Sequence, residues 1–211
     1  MISQPLKDVY FLFGRWLTLP SYYLARVRFR RPSEPEGFYL HLGSGTRYIP
    51  GMINVDGNLL RRKDLWLDLR TGLPFPDASV AFAYCCHVLE HLYPSETLRL
   101  LREMRRVLSA EGTARVAVPS MERALEIAAS QARSAWPREF DDPLGQAANY
   151  LFCDGQHKYA YSFGSLAQFA RLAGFTRVSN YSASQGVTPK RYGQVKVGDE
   201  PDGSLVVELQ P

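Results

Sequence analysis

Residues 38–57, FYLHLGSGTRYIPGMINVDG, run an apolar strand into a turn with two glycines and, a few residues later, into a second strand that ends in an acid. In an open parallel sheet, ligands bind beyond the carboxyl ends of the strands. Gly43 and Gly45 remove side chains where a ligand can approach the backbone, and Asp56 offers a carboxylate that can accept hydrogen bonds from a ribose diol. Two features separate this turn from a dinucleotide cradle. The third glycine of G-x-G-x-x-G is missing from GSGTRY, and Asp56 follows Gly43 by 13 residues, where that cradle places its acid about 20 on. Little room is left for the helix whose N-terminus receives a pyrophosphate. The segment points to a ligand with a ribose and no diphosphate, and weighs against a nicotinamide oxidoreductase.

Further strand candidates are residues 65–69, 80–86 and 114–119, then TRVSNYS (176–182) and SLVVELQ (204–210). Segments 38–42, 80–86 and 114–119 are nearly continuous apolar runs, as expected of strands covered on both faces. Helical stretches lie between the later strands. In PSETLRLLREMRRVLSAEG, apolar residues recur on one face and arginines on the other, with Ser95 as cap and Gly112 as closure. Residues 118–136 and 164–175 follow the same logic, whereas 137–155 reads as an irregular stretch walling a pocket. This alternation predicts an α/β fold, a mostly parallel sheet between helices, with an antiparallel edge at the C-terminal end, where no helix separates the last two strands.

The net charge of +4 is uneven: residues 1–31 hold six Lys or Arg and one acid, leaving the remainder at −1. That argues against a nucleic-acid groove across the domain. The basic segment is also aromatic, with Arg15 and Pro20 interrupting its apolar run, so it is neither a signal peptide nor a membrane span. Two readings stay open: a helix packed on the domain, or an interfacial segment with aromatics at lipid headgroups and arginines on anionic lipid. Residues 1–36 are thus an arm and linker, and 37–211 the domain. Cys85, Cys86 and Cys153 form neither a disulfide framework nor a metal-ligand spacing, which suits a cytoplasmic protein with reduced thiols.

Asp68 closes the third strand, where a carboxylate can accept from an exocyclic amine such as that of adenine. His87, Glu90 and His91 follow the fourth strand. The run LHLGSG, PGMINVD, DLRTGLPFPDASVAFAYCCHVLEHL and LREMRRVLSAEGTARVAVPS resembles the class I S-adenosylmethionine-dependent methyltransferases, in particular small bacterial ones of the LNLGCG and HVLEHL type, several of which are encoded with glycan and cell-envelope pathways. The resemblance implies a Rossmann-like, doubly wound sheet of seven strands in three α/β/α layers, and S-adenosyl-L-methionine as cofactor. It places Gly43 and Gly45 against the methionine part, Asp56 on the ribose, Asp68 with Leu69 around the adenine, and His87 near the sulfonium and the acceptor. His41 stands where an acid is frequent in the wider superfamily.

Methyl transfer from a sulfonium is an in-line displacement, so the protein aligns donor and acceptor and, for a hydroxyl, removes its proton. His87 is the first candidate base; the bland alternative is a residue packed beneath the following helix. Glu90 and His91, one helical turn on, either fix its tautomer or form a structural network. His157 is the second candidate, with Tyr161 to orient it, unless DGQHKYAYS is simply solvated loop. No spacing suggests a metal. The expected function is methylation of an oxygen in a small molecule or a glycan or envelope precursor, in the cytoplasm or peripherally at the inner membrane. The alternative is a non-catalytic protein of the same fold that serves as a partner in envelope assembly.

Overall fold

The computed structural model describes residues 4–33, 35–130, 142–181 and 203–211. Strands β1 (Phe38–Leu42), β2 (Ile53–Asp56), β3 (Leu65–Trp66), β4 (Val80–Cys86), β5 (Leu108–Pro119), β6 (Arg177–Asn180) and β7 (Ser204–Gln210) form one sheet. Its order is β3-β2-β1-β4-β5-β7-β6. The first five strands are parallel, and the antiparallel strand is β7, inserted between β5 and β6. Leu40, Leu42, Val80, Ala83, Cys85, Val116 and Val118 contribute to the larger core on one face. Tyr39, Ile49, Met52, Phe82 and Tyr84 form a smaller cluster. Chain order reverses at β1 and β4, which opens a crevice beyond their carboxyl ends.

Helix α3 (Pro94–Val107) buries Leu100, Leu101, Met104 and Val107 against the sheet. Truncating a side chain such as Met104 to alanine costs about 2–5 kcal/mol. Its cap is Tyr93 and not Ser95: Pro94 takes the first helical position, and the Glu96 carboxylate accepts from Tyr93 N at 3.0 Å. Nor does Gly112 close the helix. It lies within β5, where a Cβ would stand 2.8 Å from the Val80 carbonyl oxygen. Helix α4 (Met121–Ser130) falls within the helical stretch 118–136, and α6 (Phe163–Leu172) starts one residue before the stretch 164–175; residues 131–136 lie outside the described part. The supposedly irregular 137–155 is corrected by α5 (Pro143–Phe152), which Asp142 starts by accepting from Gly145 N at 2.7 Å; residues 137–141 also lie outside the described part.

The arm is two helices, α1 (Gln4–Leu17) and α2 (Leu19–Arg28). Ala25 and Phe29 join the main core, with the Phe29 ring 5.8 Å from Phe38 and 5.1 Å from Phe75. Thr18, at the elbow between the helices, is fully buried; its hydroxyl donates to Gly14 O at 2.9 Å and lies 3.2 Å from Asp68 N, from which it accepts. The opposite face is bare: Leu12, Trp16 and Leu24 are 68%, 73% and 71% exposed. Among the described residues no helix is long and apolar enough to cross a membrane.

Candidate active site

The β1–β2 turn is built by two glycines with different duties. Gly43 has φ +69°, and a Cβ there would lie 2.2 Å from Val88 Cγ2, so the glycine lets the segment after β4 close onto the turn. Gly45 has φ +52°, but a Cβ there would meet nothing nearer than Gly43 O at 4.0 Å, so open space stands over it. Gly43 N and Ser44 N both donate to Val55 O, at 2.8 and 3.1 Å, which ties the turn to β2.

Asp56 holds this geometry. Its Oδ2 accepts from Gly45 N at 2.7 Å and its Oδ1 from Asn58 N at 2.6 Å. An ionised carboxylate has about four acceptor positions, so Asp56 keeps capacity for a diol. Ser44 Oγ is buried with no hydrogen-bond partner among the described residues. The open space over Gly45, a carboxylate with spare lone pairs and, in the same turn, a buried hydroxyl without a partner among the described residues fit a polar ligand such as the ribose and amino-acid tail of S-adenosylmethionine.

Below the turn sits Asn54, which sequence reasoning passed over. Its Oδ1 accepts from Ile49 N at 2.9 Å, and its amide donates to Ile49 O, Met52 O and Asp64 Oδ2 at 2.9–3.0 Å. His41 Nδ1 lies 3.0 Å from the same Oδ1 and donates to it. Burial pushes the His41 imidazole below its ordinary pKa, and the bond to Asn54 opposes this only in part. His41 is therefore a neutral brace of the crossover.

Asp68 does not end β3; it caps the short 3-10 turn Leu69–Thr71. Its carboxylate accepts from Arg70 N at 2.9 Å and meets Arg70 Nη2 at 2.6 Å. The arm passes close by, so that a Cβ on Gly14 would sit 3.0 Å from Asp68 Oδ2. Leu69 is buried in the core.

Beyond β4 the histidines gather. His87 adopts φ +53°, a left-handed conformation that costs a residue with a Cβ on the order of 1–3 kcal/mol and concentrates at functional sites. Its Nδ1 lies 2.9 Å from Glu90 Oε1, and its Nε2 lies 2.9 Å from Ser204 Oγ at the start of β7. The Glu90 carboxylate is 1% exposed. His91 and His157 stand edge to face, with centroids 4.8 Å apart. His157 is brought there because Lys158 N and Tyr159 N donate to Glu90 O at 2.6 and 3.3 Å. Burial lowers its pKa, and its bond to the Leu151 carbonyl and the charge of Glu90 pull the other way. The fold thus unites both candidate bases around Glu90. Tyr161 has a different part: it is fully buried, and its hydroxyl bonds Thr97 Oγ1 at 2.8 Å and Leu89 O at 3.3 Å, propping the turn that carries Glu90. Sequence spacing suggested no metal; the folded chain nonetheless places ligand atoms of Glu90, His91 and His157 within 4.8 Å of one another. Ser204 gave no sequence signal, since 117 residues separate it from His87.

Residues 44–116, from the glycine turn into β5, match the family described as "Methyltransferase domain". A SAM-dependent methyltransferase from Archaeoglobus fulgidus shares the fold over 96% of this chain and 99% of its own, with a TM-score of 0.51 at 14% identity. An S-adenosylmethionine-dependent methyltransferase from Mesorhizobium loti does so over 90% and 98%, with a TM-score of 0.50 at 18% identity. A longer structure from Nostoc punctiforme, at 12% identity and a TM-score of 0.49, is covered over only 60% of its length, so the chain spans about three fifths of that protein. Among curated proteins none matches the chain by sequence.

Proposed function

We propose that the chain, which is a class I S-adenosylmethionine-dependent methyltransferase, methylates an oxygen of a small molecule or a glycan or cell-envelope precursor, with His87 as the base. The cofactor supplies an electrophilic methyl group on a sulfonium. Gly45 and Ser44 offer backbone approach and an unsatisfied hydroxyl for its amino-acid tail, and Asp56 offers acceptors for its ribose. Asp68 and Leu69 wall the adenine side. Asp68 does so through its backbone edge as much as its carboxylate, which Arg70 already engages.

One observation carries the base assignment: His87 is held in a left-handed conformation between a buried carboxylate and a hydroxyl. With the proton on Nδ1, which stands at ion-pair distance from Glu90 Oε1, the lone pair is on Nε2, where Ser204 Oγ marks a position from which an acceptor hydroxyl can donate. Glu90 orients the ring and stabilises the imidazolium formed as the acceptor gives up its proton. Val88 seated on Gly43 couples this ring to the turn. Calorimetric titration with S-adenosylmethionine and S-adenosylhomocysteine is the first test, with micromolar binding expected. Failure of both to bind at millimolar concentration would return the chain to the partner-protein reading.

The arm supports a peripheral place at the cytoplasmic side of the inner membrane. Trp16, Leu12 and Leu24 project outward beside exposed Arg15, Arg26, Arg28, Arg30 and Arg31, the pairing of apolar anchors and cations that binds anionic bilayers. Co-sedimentation of the full chain with phosphatidylglycerol vesicles is expected, and Trp16→Glu with Leu24→Glu should abolish it. Equal sedimentation of the double variant would remove the membrane from this reading.

A further inference from the structure

Of the four histidines in the chain, three surround one glutamate. Glu90 carries its carboxyl group into the interior, and among the described residues neither of its oxygens has an aligned hydrogen-bond donor. His87 Nδ1, 2.9 Å from Oε1, meets it at ion-pair distance only. A buried carboxylate costs several kcal/mol unless a cation or a metal accompanies it. One imidazole on one oxygen leaves that demand unmet, and among the described residues no donor bonds Oε2.

The two remaining histidines are prepared in the same way. His91 Nδ1 lies 3.2 Å from Gln156 O, and His157 Nδ1 lies 2.6 Å from Leu151 O. A carbonyl only accepts, so each Nδ1 carries the hydrogen and each Nε2 the lone pair. Metal-ligating histidines are held like this, with the far ring nitrogen donating to a backbone carbonyl or carboxylate that fixes tautomer and orientation. The edge-to-face packing of the two rings, at 83°, spends neither lone pair on the other ring.

We propose that Glu90, His91 and His157 bind a divalent transition-metal ion of the zinc class. Their ligand atoms lie within 4.8 Å of one another. Donors around zinc stand about 3.3 Å apart, given bonds of about 2.0–2.1 Å, so the triad closes by roughly 1.5 Å on loading. His91 is exposed and has room to swing. Two imidazoles and one carboxylate select zinc, cobalt or nickel over magnesium or calcium, which prefer all-oxygen sites. Three protein ligands leave a coordination position for water or an acceptor hydroxyl. Glu90 can serve the ion through Oε2 and His87 through Oε1, so the ion and the methyl-transfer base share a carboxylate without competing for it. Binding of the ion does not rest on that reaction.

The test uses the full chain, stripped with chelator and dialysed against zinc chloride, with bound metal counted by mass spectrometry and affinity measured by calorimetry. About one zinc per chain is expected at micromolar concentration or tighter, with visible absorption of the cobalt form showing four- or five-coordinate geometry. His91→Ala, at an exposed position, should weaken binding at least tenfold with an unchanged circular dichroism spectrum. His157→Gln should do the same, and Cys153→Ser should leave affinity untouched. No binding below about 100 μM, unchanged affinity in both histidine variants, or loss of the ion in Cys153→Ser would overturn the proposal. None of these readouts includes S-adenosylmethionine, so they stand apart from the methyl-transfer assay.

Discussion

The glycine turn after β1 and the histidine cluster after β4 touch through Val88 on Gly43, yet they are built in opposite ways. In the turn, side chains are spent on holding backbone: Asp56 ties Gly45 to Asn58, and Asn54 ties Ile49, Met52, Asp64 and His41 together. What it leaves for a ligand is shape, the open space over Gly45, and a single orphaned hydroxyl on Ser44. In the cluster, backbone is spent on holding side chains. The carbonyls of Leu151 and Gln156 fix two imidazoles, the Glu90 carbonyl anchors the strand of chain that carries His157, and the Glu90 carboxylate is left undersatisfied. A site for binding can be made from geometry that is already satisfied, whereas a site for chemistry needs groups whose demands are unmet.

The sharpest way to break this contrast is His87→Asn. Turnover should fall about 10²–10⁴-fold, the usual worth of a positioned base, while S-adenosylmethionine affinity measured by calorimetry stays within about twofold. An equal loss of affinity would place His87 in the binding half. Next in size is Gly43→Ala, which should lower stability by about 3 kcal/mol in urea unfolding, because a methyl meets Val88 Cγ2 and the left-handed backbone is strained as well. Adding Val88→Ala should restore part of this, and no restoration would mean that the two regions do not bear on one another. Gly45→Ala should cost only about 1 kcal/mol, since space is open there, but should weaken cofactor binding about tenfold or more. A variant with normal affinity would show that the open space is not the ligand's.

The smallest effect concerns pH. His41 has a folded-state pKa below its unfolded value, so the unfolded chain binds the proton more readily, and stability is full above about pH 6.5 and declines as pH falls through that range. Replacing His41 with Asn should flatten the decline between pH 7.5 and 5.5 in denaturant titrations. An identical slope in the variant would contradict a buried neutral imidazole there.

Much of the geometry of the glycine turn was legible because it is local. The apolar run, the glycines and Asp56 lie within one short stretch, and the missing third glycine together with the short crossover separated it from a pyrophosphate site. The cluster was legible only as separate residues. Nothing in HVLEH or GQHK states that they meet; the meeting depends on hydrogen bonds from 158 and 159 to Glu90. Ser204 belongs to a strand inserted between two others, a long-range consequence of topology. Helix α5 was missed for a plainer reason: Asp142 and Pro143 are an N-cap and a first helical residue, a start signal that can be mistaken for a loop. Asp68 was placed one structural step early, because a strand of alternating pattern gave way to a capped turn after Trp66.

The insertion of β7 has a consequence in time. Among the described strands β6 pairs with β7 alone, so a growing chain that has reached Asn180 has not yet made the strand against which β6 lies. Strand β6 joins the sheet only through the last strand, which pairs with β5 across a long stretch of chain, and an assembly of such distant segments is intrinsically slow. The same arrival delivers Ser204 to His87. With His87 as the base proposed above, refolding followed by catalysis should lag refolding followed by helix content, and methyl transfer becomes a clock for the closing step of folding.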